Sequence, residues 1–218
     1  LTKGDVFVDV GSNIGLMSIY AGIKVGEAGK VFAFEPNPNT RKILEENIAL
    51  NNIQNIKVER VAISNETKKS KIYDRWDVNR GGASLIKPEN PSEEYDIEEI
   101  PFSDYFNTDQ PIKLVKIDVE GYELEVLKGA DKYLSEAKAP PALIVEFSSL
   151  RTNTFGQGTS TLYEYLKKVN RYRLFKSTAG KERVSKLVEI KNEQDCPKHD
   201  NIYCFTDEHL SKLSSIIL

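Results

Sequence analysis

Apolar residues gather in short runs, several ended by an acid or a glycine, and between the runs they recur at helical spacing. Val6-Phe7-Val8-Asp9-Val10 opens the series and reads as a short buried strand. Leu16 to Val25 then reads as a helix packed on a sheet, closed by Gly26 and Gly29. Lys30-Val31-Phe32-Ala33-Phe34 is a second strand, ending in Glu35-Pro36. Ile43, Leu44, Ile48 and Leu50 mark a helix between Asn37 and Asn51, with Pro38 in its first turn and Asn51-Asn52 as its stop. Ile56 to Ile63 is a third strand and Ile112 to Asp118 a fourth. A helix from Gly121 to about Leu134 and a fifth strand, Ala142 to Phe147, follow, and a further helix spans Thr159 to Val169. This alternation predicts a parallel, doubly wound α/β sheet.

Two stretches break the rhythm. Residues 64–111 are polar, hold Gly81-Gly82, Pro88, Pro91 and Pro101, and contain strand-like pieces such as Lys71-Ile72-Tyr73. They read as a flap with a small hairpin, inserted between strands three and four; loops of such length in compact domains are functional or disordered. Late in the chain, Tyr172 to Lys176 and Asn201 to Phe205 read as strands, with residues 178–200 a variable loop or loose hairpin between them. Consecutive strands with no helix between them imply an antiparallel edge. The whole of 1–218 reads as a single domain carrying that flap.

Composition narrows the function classes. The net charge of −3 and the mildly acidic pI of 5.6 provide no general field for nucleic acid. Cys196 and Cys204 are the only cysteines and show no zinc spacing, so a reduced pair of the cytoplasmic kind is expected in place of a disulfide. No apolar run reaches membrane-spanning length, and no membrane partner is expected.

The chemistry is concentrated where strands end. In Asp9-Val10-Gly11-Ser12-Asn13-Ile14-Gly15 the first strand stops, turns and restarts as a helix. Gly11 permits a tight turn with no Cβ to block a ligand. Asn13 tolerates a left-handed conformation, Gly15 lets the following helix pack close to the strand, and Ser12 or Asn13 suits a helix cap. A strand, a bare backbone loop and a helix N-terminus then face one space suited to a nucleoside-type ligand. Glu35 falls 20 residues after Gly15, where a carboxylate accepts ribose hydroxyls and disfavours a 2′-phosphate. The dinucleotide pattern Gly-x-Gly-x-x-Gly is incomplete, with Leu16 in place of its last glycine. That counts against a nicotinamide oxidoreductase. Asp9 puts a carboxylate where a pyrophosphate would be repelled and where the amino group of S-adenosylmethionine is suited. Asp9, Glu35, Asp118 and Glu146 all fall at the carboxyl ends of predicted parallel strands, where ligands of open α/β sheets sit.

Taken together, Asp9-Val-Gly-Ser-Asn-Ile-Gly15, Phe34-Glu-Pro-Asn-Pro38, Asn51, Lys116-Ile-Asp-Val-Glu-Gly121 with Glu123 and Gly129, and Val145-Glu146 resemble the FkbM family of S-adenosylmethionine-dependent methyltransferases. The similarity runs from about Asp5 to Phe147, and Lys-Ile-Asp-Val-Glu-Gly is its distinctive part. Ala62-Ile63-Ser64 and Gly81-Gly82-Ala83-Ser84-Leu85 resemble further family segments, while Ser103-Asp104 departs from the usual Leu-Asp. The resemblance implies a class I methyltransferase (Rossmann-like) fold, with a seven-stranded, mostly parallel sheet whose last strand is antiparallel. It also implies methyl transfer, usually to a hydroxyl of a sugar or other small molecule.

On that reading Gly11, Ser12, Asn13 and Gly15 shape the loop around the methionine part of the cofactor. Asp9 holds its ammonium, Glu35 with Pro36 meets the ribose, Ala62 and Ile63 lie near the adenine, and Asp118 lies near the transferred methyl. A hydroxyl acceptor must lose a proton. Glu120 is the first candidate base, Glu146 the second and His199 the third. Each has a plainer role open to it: Glu120 as a cap of the helix after Gly121, Glu146 as a substrate ligand or partner of Arg151, His199 as a surface residue. Arg80 and Ser84 in the flap are candidates to bind acceptor, and Trp76 to stack on a sugar or pack the flap. A metal role for Asp118, Glu120 and Glu146 stays open, though no ligand spacing compels it. Methylation of RNA or protein by the same fold remains the alternative.

Overall fold

A computed structural model describes residues 1–74, 85, 93–148, 159–169, 172–180, 185–213 and 215–218. Its centre is an eight-stranded sheet. Three strands come from the first half, β1 (Val6–Val10), β2 (Lys30–Phe34) and β3 (Ile56–Glu59), and β7 (Leu114–Ile117) follows past the midpoint. The others are β8 (Ala142–Ser148), β9 (Arg173–Ser177), β10 (Leu187–Glu189) and β11 (His199–Phe205), and the spatial order is β10-β9-β11-β8-β7-β1-β2-β3. Strands β3 through β8 are mutually parallel across this order, and β11 runs antiparallel to both β8 and β9. The doubly wound α/β class is therefore as expected. The sheet exceeds the expected seven strands by one because residues 187–189, assigned to a variable loop, pair with β9 as an outer edge. Two strands oppose the others: β11, which lies between β8 and β9, and β10, which makes that edge of the sheet antiparallel as expected.

The third predicted strand divides in two. β3 stops at Glu59, and Ala62–Ser64 leaves the main sheet as β4. With β5 (Lys68–Asp74) and β6 (Glu93–Pro101) it forms a separate three-stranded sheet in the order β4-β6-β5. Part of the flap is thus regular: β5 and β6 are an antiparallel pair, and β4 joins β6 in parallel. Arg75, Trp76, Arg80, Ser84 and Arg151 lie outside the described residues.

Helix α1 (Leu16–Val25) and helix α2 (Pro38–Leu50) form where their periodicity placed them. Asn37 caps α2, accepting from the Asn39 and Thr40 amides, with Pro38 just inside. Gly26, at φ 63°, ends α1, and Asn52, at φ 54°, follows α2. No side chain caps α1: Gly15 occupies the cap position at φ 91°, and the Ser12 hydroxyl is buried with no partner among the described residues. Gly15 packs against the second helix, since a Cβ there would lie 2.3 Å from Leu44 Cδ1. The close approach expected toward the strand is in fact toward α2.

The segment returning from β6 folds into α3 (Phe102–Tyr105). It inserts Phe102 and Phe106 into the core, with the Phe106 ring 5.1 Å from that of Phe32 and 6.5 Å from that of Tyr133. Edge-to-face pairs of this kind add about 0.5–1.5 kcal/mol each beyond their burial, so the small sheet is anchored to the main one through aromatic packing. The predicted helix after Gly121 is two helices, α4 (Glu123–Gly129) and α5 (Asp131–Glu136), meeting at Ala130. Gly129 abuts β4 so closely that a Cβ would lie 1.7 Å from the Ser64 carbonyl oxygen. Helix α6 (Thr159–Lys168) packs beside α4, and α7 (Asp207–Lys212) follows β11.

Candidate active site

The strand ends of β1, β2, β7 and β8 open onto one cavity of about 480 Å³. Its wall includes Asp9, Gly11, Ser12, Asn13, Glu35, Pro36, Ala62, Ile63, Asp118, Glu120 and Glu146. Nearly the whole expected constellation therefore meets in one place. Two residues named in sequence do not line it. Gly15 supports the loop from behind, and His199 is exposed at the start of β11, opposite Ser148. His199 stands at the same rim as Glu146, two register positions from the Asn201–Glu146 pair.

The loop after β1 is held from below. Gly11 and Asn13 take φ values of 79° and 50°, as the tight turn requires. A Cβ on Gly11 would lie 2.0 Å from the Asp118 carbonyl oxygen, so only glycine lets the β1 and β7 ends come together. The Gly11 and Ser12 amides both donate to the Phe34 carbonyl, at 3.1 and 3.0 Å.

Glu35 braces this loop. Its Oε2 accepts the Asn13 amide at 2.9 Å and its Oε1 the Asn37 amide at 3.0 Å. Burial pushes the carboxyl up to about 7, against the pull of those two amides. Asp9 is buried too. Its Oδ2 accepts the Ser18 hydroxyl at 2.6 Å, and its Oδ1 has no partner among the described residues. Burial raises its pKa, with Lys116 the largest opposing influence.

On the far side, Asp118, Glu120 and Glu146 bring carboxylate oxygens within 4.8 Å of one another. Such a trio suits an oxygen-liganded divalent ion, and the Lys116 ammonium already reaches one member, donating to Asp118 Oδ2 at 2.8 Å. Glu120 sits at φ 58° and Gly121 at φ 103°. The turn they make is tied by Glu123, whose Oε1 accepts the Val119 and Gly121 amides at 3.2 and 3.0 Å. Glu123 thus takes the helix-start role that was one reading of Glu120, and Glu120 is left on the cavity wall.

The sequence assigned no role to Lys116 or Glu123, although both stand in the quoted motif, and did not single out Ser18 or Tyr122. The signal for Lys116 was present: a lysine two residues before Asp118 in a strand shares its face, and a lysine within an apolar strand calls for a partner. Tyr122 also lines the cavity, and its hydroxyl donates to buried Glu99 at 3.1 Å. No pattern in the sequence marked that contact.

A mostly parallel sheet with antiparallel strands at one end, a glycine-relieved loop after β1 and acids at the neighbouring strand ends define the class I methyltransferase architecture. The chain belongs to the methyltransferase FkbM domain family, which residues 9–174 match. Methyltransferase sdnD of Sordaria araneosa is 31% identical over an alignment of 163 residues that covers 61% of this chain and 62% of that protein. Hexuronic acid methyltransferase AglP of Haloferax volcanii is 36% identical over an alignment of 135 residues that covers 58% of this chain and 50% of that protein. Among solved structures, the methyltransferase FkbM from Methylobacillus flagellatus KT superposes with a TM-score of 0.57 at 19% identity, covering 94% of this chain and 44% of that one. The chain thus matches less than two thirds of the length of each of these relatives.

Proposed function

We propose that the domain transfers a methyl group from S-adenosylmethionine to a hydroxyl of a small molecule or saccharide. The observation that carries this reading is Asp9 Oδ1, an unpartnered buried carboxylate oxygen on a cavity wall beside a loop with no side chain at Gly11. A buried carboxylate oxygen is costly without a donor, and the ammonium of the cofactor's methionine part is such a donor. Gly11, Ser12 and Asn13 shape the wall around that part. Glu35 and Pro36 face the ribose, and Ala62 and Ile63 flank the adenine. When bound, the cofactor supplies a methyl group on a positively charged sulfur.

The protein's own residues then have two tasks. One is to hold the acceptor oxygen in line, the geometric contribution that accounts for much of the rate in such displacements. The other is to take up the hydroxyl proton. Glu120 is the favoured base, because its turn is braced by Glu123 and its carboxylate lies among Asp118 and Glu146 on the cavity wall. Glu146 is the alternative, and His199, set back at the rim, is third.

A saccharide or small-molecule acceptor is supported by the hexuronic acid methyltransferase among the relatives and by the lack of a net positive charge for RNA. Calorimetric titration with S-adenosylmethionine, S-adenosylhomocysteine and NAD tests the cofactor: binding of the first two, and not of NAD, is expected. NAD binding alone would reject the reading. Labelled-methyl transfer to a panel of saccharides, other hydroxylated small molecules and RNA then sorts the acceptor classes.

A further inference from the structure

Asp9 and Lys116 stand opposite each other in the β1–β7 ladder, and both line the cavity. Each keeps hydrogen-bonding capacity that the fold does not use. Asp9 is 1% exposed, and its Oδ1 has no partner among the described residues. Lys116 has a side chain 12% exposed. An ammonium has three donors, and among the described residues only Asp118 accepts one. Burial pulls the lysine's pKa down, yet Asp9, Asp118 and Glu146 outweigh burial and keep it cationic. The two side chains feel each other's charge, but no hydrogen bond joins them.

The balance of charge on the wall sharpens the point. Five carboxylates line the cavity, those of Asp9, Glu35, Asp118, Glu120 and Glu146, and Lys116 is the one lysine or arginine among the described lining residues. Among the described lining residues an anionic group entering there has one cation to meet. An open carboxylate oxygen and two open ammonium donors, side by side on adjacent strands, complement a ligand carrying a positive and a negative group on neighbouring atoms. An α-amino acid head is such a ligand.

We propose that Lys116 binds the carboxylate of the cofactor's methionine part, so that Asp9 and Lys116 together read a free α-amino acid head. This rests on the cofactor assignment above and adds a carboxylate-specific contact to it. The rival role for Lys116 is purely internal, to pin Asp118 at the rim.

Calorimetry on the full chain with two ligands separates these roles. One ligand is S-adenosylhomocysteine; the other is its decarboxylated analogue, with the same ammonium and sulfur but no carboxylate. The unaltered protein should bind the first between about ten- and a hundredfold more tightly, the range expected for a charge-assisted hydrogen bond. Lys116→Met should weaken S-adenosylhomocysteine by a similar factor and leave the analogue within about threefold, so that discrimination disappears. Lys116→Arg should retain part of it. Equal affinity of the unaltered protein for both ligands would overturn the proposal without any variant. So would an equal loss of both ligands in Lys116→Met, which is the signature of pinning Asp118. If the unaltered protein binds neither ligand, the cofactor assignment itself fails, and the carboxylate contact falls with it.

Discussion

After β1 the chain turns at Gly11, Asn13 and Gly15; after β7 it turns at Glu120 and Gly121. Both turns reach the same cavity, and in both a nearby glutamate accepts two backbone amides, Glu35 in the first and Glu123 in the second. The residues in left-handed conformation differ. In the first loop they are glycines and an asparagine, which adopt it readily. In the second, a glutamate does so at a cost of about 1 kcal/mol or more. The braces differ as well: Glu35 lines the cavity and Glu123 does not. The first turn therefore offers bare backbone with an acid beneath it. The second accepts strain to hold one particular side chain on the wall. Recognition of a common cofactor suits the first arrangement, and chemistry on an acceptor suits the second.

The largest effect that would break this comparison is at Gly11. Alanine there meets the Asp118 carbonyl and must also hold φ 79°. Gly11→Ala should lose about 3 kcal/mol or more of stability, or fail to fold, as read by thermal and urea melts. A near-normal melt would show that the two strand ends need not touch.

Next comes Glu120→Gln. Turnover should fall by about 10²–10⁴-fold with cofactor affinity within a few-fold, read by labelled-methyl transfer and calorimetry. Loss of affinity in place of turnover would move Glu120 into the cofactor half of the site.

Glu35→Ala should weaken cofactor binding at least tenfold, equivalent to about 1.4 kcal/mol. The same residue sets a pH dependence. Its carboxyl titrates at about 7 in the folded chain against an ordinary 4.5. Between those values the folded state holds the extra proton. The resulting stabilisation is complete below 4.5 and is lost as pH rises through about 7. Ribose hydroxyls donating to the carboxylate favour the ionised form, so cofactor affinity should rise over the same interval, with proton release on binding. Glu35→Gln should flatten that rise in a calorimetric pH series; an unchanged slope would assign the proton to another group.

The smallest expected effect is on the strain itself. Glu120→Gly should raise stability by about 0.5–1 kcal/mol while abolishing turnover. A destabilised variant would mean that Glu120 supports the turn as well as the chemistry.

Much of the first turn was legible in the sequence because its requirements are local. A glycine before a left-handed asparagine, an acid two residues earlier and another after the next strand each announce themselves by spacing. The second turn was legible as a motif but not in its division of labour. Glu120 and Glu123 are both acids near a helix start, and only the course of the backbone decides which accepts amides and which faces the cavity. Gly15 was read as easing contact with its own strand because nothing local points to Leu44 on another helix. The split of Ile56–Ile63 into strands of two sheets escaped for a related reason, since both halves carry the same apolar pattern. Lys116 was visible in the sequence, but its value depends on Asp9, which is brought beside it only by the parallel pairing of β1 with β7.

The abutment of Gly129 on Ser64 has a practical corollary for redesign. Because that glycine locks α4 to the first strand of the small sheet, β4 is tied to the helix that follows the Glu120–Gly121 turn and is a poor place to splice. A graft intended to alter acceptor preference should leave both partners of that contact, Gly129 and Ser64, in place.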